Sequence, residues 1–374
     1  MHTILPVENG DSLAAVRGFL HSLLDSGAVE AVFVPMGIDG GAVVPALVTD
    51  SALLDRANPL APVMPINNAR AVSTLTAKQP AGTLAAVLRP CEIRALVELV
   101  KLQQATLDGV ILIGLDCPGT YEVTKYVEYQ GKGGFDLNKY LTSGSNGSEA
   151  TNGSPQLRQA CRICDQPISE GSDISLHLLG MKEAAGIPIT ISEAVASRLN
   201  FLPPPQEDTP GRQAVVQELV ESRRQVRTRE LAAVRERLDS DGGLAGYFAT
   251  CIRCHNCMTV CPICYCKSCL FKTASFDHPS EHYFTLARRK GGIRLLGDTM
   301  LFHMTRLNHM SLSCVSCGMC TSACPSEIPV GAIFSTIGAQ VQQAFEYKPG
   351  RDVAEALPLI TFQPNEWTEV GEKV

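Results

Sequence analysis

Eight cysteines in two matching patterns carry the most specific chemistry in the sequence. Cys251, Cys254, Cys257 and Cys261 are followed by Pro262, and Cys314, Cys317, Cys320 and Cys324 by Pro325. A 4Fe–4S cubane needs four thiolates around a compact core. Three at two-residue spacing wrap one corner through a short turn, and the fourth comes from far along the chain. Where two such runs occur together, the fourth cysteine of each binds the other cluster. The spacing therefore predicts one cluster on Cys251, Cys254, Cys257 and Cys324, and a second on Cys314, Cys317, Cys320 and Cys261. The competing reading is structural zinc, which usually takes two separated Cys-x2-Cys pairs. Two complete four-cysteine runs with trailing proline favour iron and sulfide, and clusters of this kind pass electrons.

The chain has 15 cysteines, 11 of them between Cys251 and Cys324. Cys264, Cys266 and Cys269 follow the first run at once. They are open to three readings: ligands of another centre, a substitute for one predicted ligand, or inert buried thiols. The remaining four, Cys91, Cys117, Cys161 and Cys164, match the number one cubane needs. Leu84-Ala-Ala-Val-Leu reads as a strand, Cys91 to Ala105 as a helix and Val110-Ile-Leu-Ile-Gly-Leu as a strand. Such a βαβ unit places Cys91 and Cys117 at the carboxyl edge of a parallel sheet, where ligands bind. We expect them to converge with Cys161 and Cys164 on a third cluster; the alternative is two core thiols and an incidental pair. Arg89, Glu92 and Arg94 flank this group, either setting charge near a neighbouring cofactor or pairing with each other at the surface.

Other elements frame these groups. Residues 12–27 have helical period, with Asp11 or Ser12 as the cap and Gly27 as the stop. Ala31-Val-Phe-Val-Pro reads as a buried strand ahead of the turn Gly37-Ile-Asp-Gly-Gly. Residues 143–156 are Gly/Ser-rich and read as a surface loop. Pro203-Pro-Pro marks a break, 213–238 a helix rich in Arg and Glu, and 293–310 a helix between the cysteine runs. No strand signal is strong beyond about 246. The fold expected is α/β with parallel sheet in the N-terminal part and mainly α-helical in the C-terminal part.

At 374 residues the chain has room for two or more domains. A net charge of −6 argues against holding nucleic acid by overall field. No basic-then-apolar leader and no apolar run of membrane-spanning length stand out. Cysteines in such a chain read as metal ligands rather than disulfides, and the compartment expected is the cytoplasm. His255, His303 and His309 read as packing or solvated residues. Nothing resembles a Ser-His-Asp set, a P-loop or a paired-carboxylate site, and no catalytic residue is singled out.

Four segments together carry a family resemblance: Gly37-Ile-Asp-Gly-Gly-Ala-Val-Val-Pro-Ala-Leu-Val, Arg89-Pro-Cys-Glu-Ile-Arg-Ala-Leu, Gly114-Leu-Asp-Cys-Pro-Gly-Thr-Tyr-Glu and Cys161-Arg-Ile-Cys. The series resembles the beta subunits of coenzyme F420-reducing hydrogenase and F420-dependent formate dehydrogenase over roughly residues 30–200. Longer members of that family fuse a two-cluster module behind the flavin domain, and Cys261-Pro-Ile-Cys-Tyr-Cys-Lys-Ser-Cys looks like theirs. The helical stretch between the runs resembles the ferredoxin domains of succinate dehydrogenase-type iron–sulfur subunits. The resemblance implies a flavin domain at 1–205, a helical connector at 206–245, a two-cluster ferredoxin domain at 246–335 and a tail at 336–374. It implies FAD, with Gly37, Asp39, Gly40, Gly41, Arg89 and Glu92 as candidate contacts. A Gly-Gly turn lets backbone N–H groups approach a pyrophosphate. Asp39 stands where the family's segment usually has serine, which sets an acidic group beside the expected phosphates. The expected partners are a soluble hydride carrier, F420 or alternatively NAD(P)H, and the catalytic subunit of a hydrogenase, formate dehydrogenase or heterodisulfide reductase-like complex. A relay without flavin is the remaining alternative.

Overall fold

The computed structural model describes residues 1–132, 135–145, 156–181, 186–206, 211–240, 242–295 and 297–358. Its strands are β1 (His2–Leu5), β2 (Ala31–Gly37), β3 (Val43–Val48), β4 (Leu84–Leu88), β5 (Val110–Leu115), β6 (Ile174–Leu176) and β7 (Ile187–Ile191). The helices of the first half are α1 (Ser12–Asp25), α2 (Ala69–Leu75), α3 (Pro90–Lys101), α4 (Val123–Gly131), α5 (Leu137–Ser145), α6 (Gln159–Arg162) and α7 (Glu193–Ala196). Then follow α8 (Arg212–Ser240), α9 (Gly243–Tyr247), α10 (Asn256–Thr259), α11 (Ser280–Lys290), α12 (Thr299–Met310), α13 (Met319–Ser322) and α14 (Val330–Ala344).

One sheet runs in the order β1-β7-β6-β5-β4-β2-β3. β2, β4, β5 and β6 are parallel, while β3, β7 and β1 pair antiparallel at the two flanks. The expected βαβ unit is β4–α3–β5. Alternation along the central strands sorts side chains to two faces. Val32, Val34, Ala85, Val87, Ile111 and Ile113 join the core under α1. Phe33, Leu84, Ala86, Leu88 and Leu112 face the other way, where they share a core with α3 and with Phe248, Met258, Phe302 and Phe334 of the cysteine-rich half. The two halves are thus joined through the second face of the sheet.

Several boundaries differ from the sequence reading. Helix α3 stops at Lys101 rather than Ala105, because Gln103 takes a left-handed conformation at φ +58°. The helix expected over 293–310 starts only at Thr299, after Gly291 at φ +76° has closed α11. Helix α14 runs from Val330 to Ala344, across the expected boundary at residue 335. Of the polar stretch 143–156, residues 143–145 end α5, and 146–155 lie outside the described residues, as does 359–374. Among the described residues no helix is long and apolar enough to cross a membrane.

Candidate metal centres

The two cysteine runs share a backbone. In the first, Arg253 and His255 flank Cys254 at φ +56° and +61°; in the second, Ser316 and Gly318 flank Cys317 at φ +55° and +73°. Left-handed conformation costs a non-glycine residue about 1–2 kcal/mol, so each loop is held by its surroundings. What the strained turns accomplish is to aim N–H groups inward. Arg253 N–H donates to Cys251 Sγ at 3.4 Å, and backbone N–H groups of Ser316 and Met319 act on Cys314 and Cys317.

The fourth cysteines cross over. Cys251, Cys254, Cys257 and Cys324 line one pocket with His255, Phe302 and His303. Electrostatically, Cys257 feels Cys251, Cys254 and Cys324. Cys261 instead acts on Cys314, Cys317 and Cys320. Among the described residues no three His, Cys, Asp or Glu side chains converge on one point as a lone metal ion requires. A cubane asks for something else: four thiolates spread around a core, each on its own iron. His303 stacks on Phe248 at 3.6 Å between ring centres, with Nε2 3.3 Å from Cys251 Sγ. Burial, with Arg306 and His255 nearby, drops its pKa to about 3, so the ring is neutral.

The four cysteines of the first half also gather. Cys91 sits in the first turn of α3, just beyond β4, and Cys117 two residues beyond β5. Cys117 feels Cys161 and Cys164, and Cys91 feels both Cys117 and Cys317. Cys91 thus stands between the first-half group and the second run. Burial pushes the Cys91 and Cys117 thiols up. Burial acts the same way on Cys161, but Arg158 and the N–H and hydroxyl of Thr120 outweigh it and hold that thiol below its ordinary value. Gly318 packs so closely on α6 that a Cβ there would come 2.3 Å from that of Ala160. Cys264 and Cys269 line the core beside the first run, Cys269 Sγ lying 3.5 Å from Met258 Sδ, while Cys266 is exposed.

Buried guanidinium groups separate these sets. Arg306 donates to Cys257 Sγ at 3.2 Å and Cys257 O at 3.0 Å. Arg158 donates to Cys317 O at 3.2 Å, lies 3.8 Å from Cys161 Sγ, and bonds Thr120 Oγ1 at 2.9 Å. Arg89 lies 3.9 Å from Cys117 Sγ and holds the carbonyls of Ala61 and Val63. The sequence reading passed over Arg158 and Arg306. One signal was available: Phe302, Arg306 and Met310 share the buried stripe of α12 at four-residue spacing, where an arginine needs a reason.

The candidate flavin contacts divide. Gly37, Asp39, Gly40 and Gly41 form the hairpin tip between β2 and β3, Gly40 and Gly41 at φ +86° and +80°. The tip is exposed apart from Gly37, and Asp39 points to solvent with Arg56 3.8 Å away. It projects from the carboxyl end of β2, the same edge as Arg89 and Cys117. Arg89 and Glu92, by contrast, are wall. Glu92 accepts the N–H of Arg89 at 2.8 Å and of Asn68 at 2.9 Å, capping α3. Arg94 is buried against Gly350. The surface pairing considered for Arg89, Glu92 and Arg94 is therefore wrong: all three are buried.

With this geometry in hand, the known proteins can be compared. A family model for a 4Fe-4S dicluster domain matches residues 247–328. The chain is 25% identical over 377 residues to the F420-dependent formate dehydrogenase subunit beta of Methanocaldococcus jannaschii, spanning 92% of this chain and 93% of that protein. It is 28% identical over 386 residues to the F420-dependent formate dehydrogenase 1 subunit beta of Methanococcus maripaludis, spanning 95% and 94%. The resemblance to F420-dependent beta subunits holds along nearly the whole chain. Among solved structures, a chain from the F420-reducing NiFe hydrogenase complex of Methanosarcina barkeri aligns with 58% of this chain and 85% of its own length. Its identity is 13% and its TM-score 0.43, a likeness too slight to argue from.

Proposed function

We propose that the chain is an iron–sulfur flavoprotein subunit of an oxidoreductase, passing electrons between a hydride carrier of F420 type and a partner catalytic subunit. The observation that carries the reading is the succession of three cysteine sets. Cys91, Cys117, Cys161 and Cys164 adjoin the set of Cys261, Cys314, Cys317 and Cys320 through Cys91 and Cys317. That set adjoins Cys251, Cys254, Cys257 and Cys324 across Arg306. The dicluster match supports iron–sulfur chemistry in the second half. The names of the two relatives support the carrier and a formate dehydrogenase-type partner.

The residues present suit the groups proposed. Buried cations beside thiols have a natural counter-charge in thiolate-bound clusters, which are anionic. The strained turns supply inward N–H groups to the sulfurs, and the α6–Gly318 contact fixes one set against the next. FAD is placed at the exposed Gly40–Gly41 tip, where the absence of side chains lets a pyrophosphate come close to the backbone, at the sheet edge that also carries Cys117. A flavin supplies the exchange between a hydride and single electrons that clusters cannot perform alone.

The test is flavin, iron and acid-labile sulfide per chain on anaerobic protein. One FAD and about twelve irons are expected. About eight irons without flavin would leave a two-cluster relay. Bleaching of the flavin by reduced F420 but not by NADH or NADPH would fix the carrier; the reverse would replace it.

A further inference from the structure

We infer that Arg306 and Arg158 are fixed positive charges at the two junctions of the electron path, each raising the reduction potentials of the clusters on both its sides. The inference rests on the three-cluster reading and adds to it which residues set the energy levels.

Arg306 is 4% exposed, and Arg158 is 5% exposed. Among the described residues neither forms an ion pair with a carboxylate. Glu122 is reached through Ser322, which is 3.3 Å from the Arg158 guanidinium and donates to Glu122 at 3.0 Å, and buried Glu92 acts on Arg158 electrostatically. Arg306 lies against the rings of Phe334 and Phe302, at 4.7 and 5.7 Å, and its Nε has no partner. An unpaired cation in such surroundings is costly unless an anion accompanies it. The groups that face Arg306 electrostatically are Cys257, Cys261, Cys320 and Cys264. Those facing Arg158 are first Cys161, Cys91 and Cys317. Cys257 belongs to one predicted cluster and Cys261 and Cys320 to the next. Cys317 belongs to that same middle cluster, while Cys91 and Cys161 belong to the third. Each arginine therefore bonds one set or two directly and acts on two electrostatically: Arg306 bonds Cys257 and faces Cys261 and Cys320, and Arg158 bonds Cys317 O and lies beside Cys161 Sγ.

Taking up one electron makes a cluster more negative by one charge. A fixed cation in a low-dielectric setting stabilises the reduced state more than the oxidised one, and the potential rises. When an electron passes, the donor cluster is oxidised and its neighbour reduced by that one electron. A cation between them favours the electron on either side. Neither guanidinium loses its charge, since arginine stays protonated across the whole pH range in which a protein is folded.

The experiment is a dye-mediated redox titration of the full anaerobic protein, read by electron paramagnetic resonance, on Arg306→Gln, Arg158→Gln and the two Lys variants. Arg306→Gln is expected to lower the midpoints of the two clusters beside it and leave that on Cys91 and its partners in place. Arg158→Gln should lower the middle and the first-half clusters and spare the one on Cys251. Each Lys variant should recover most of the shift. Wild-type midpoints in both Gln variants at full iron content would overturn the inference. Where a Gln variant loses iron, Lys decides: iron retained with near wild-type midpoints supports a role for charge, and iron lost equally shows that only the shape of arginine matters. Wild-type protein without iron would sink the cluster reading itself, and this inference with it.

Discussion

At the scale of single residues, the crossing of the fourth cysteines makes the sharpest forecast. Cys324→Ser should remove the cluster of the first run, and Cys261→Ser the cluster of the second, each lowering iron by about four atoms per chain. Uncrossed runs would give the opposite spectra, which paramagnetic resonance on the two variants would separate. Glu92 invites a different substitution. Both its oxygens are committed to backbone N–H groups in a buried wall. Glu92→Ala orphans both donors, at about 1–3 kcal/mol each, and removes a carboxylate beside Arg89. Denaturant unfolding should show the loss. A fully stable variant would mean that this corner is wetter than its burial indicates.

At the scale of elements, α6 and the second run act as one unit. Gly318 has φ +73°, and a Cβ there would run into Ala160. Gly318→Ala should cost about 1–3 kcal/mol as an overpacked contact and disturb the first-half signal together with that of the middle cluster. Unaltered spectra and stability would show that α6 gives way freely. This contact was invisible beforehand, because sequence spacing carries no information about which helix leans on which loop. What could be read were features with a short-range cause: the Asp11 cap and the stop after α1, the βαβ unit, and the two cysteine patterns. β3 escaped notice because Val43–Val48 is interrupted by Pro45, tolerable in this edge strand. β6, three residues long, offers too little alternation to detect. Arg158 and Arg306 escaped because charge reads as surface until the packing partner is known.

At the scale of the whole molecule, the thiols tie stability to pH more steeply without iron than with it. Burial raises Cys257 and Cys264 to about 11 and Cys314 to about 12. In the iron-free chain these groups stay protonated after the unfolded chain has begun to ionise. Their protonated forms are no burden below the ordinary thiol range, so the apo fold should weaken as pH climbs from about 9 toward 11–12. Thermal midpoints of apo protein at pH 7, 9 and 10 should fall across that window, while loaded protein, whose ligand thiols have already lost their protons, falls less. Equal slopes would mean that ionisation of these thiols does not govern the difference.

The helix α11 gives this architecture an unusual topology under attack. It buries none of its eleven residues and ends in Arg288, Arg289 and Lys290. Standing alone, a helix this short is marginal in water, so its amides should exchange first and trypsin should cut there. The cut falls between the two cysteine runs. Cys251, Cys254 and Cys257 would lie on one fragment and Cys324 on the other; Cys261 would be parted from Cys314, Cys317 and Cys320 in the same way. The nicked chain should therefore remain one particle, laced across the break by inorganic bridges, and come apart more readily once a chelator has drawn out the iron.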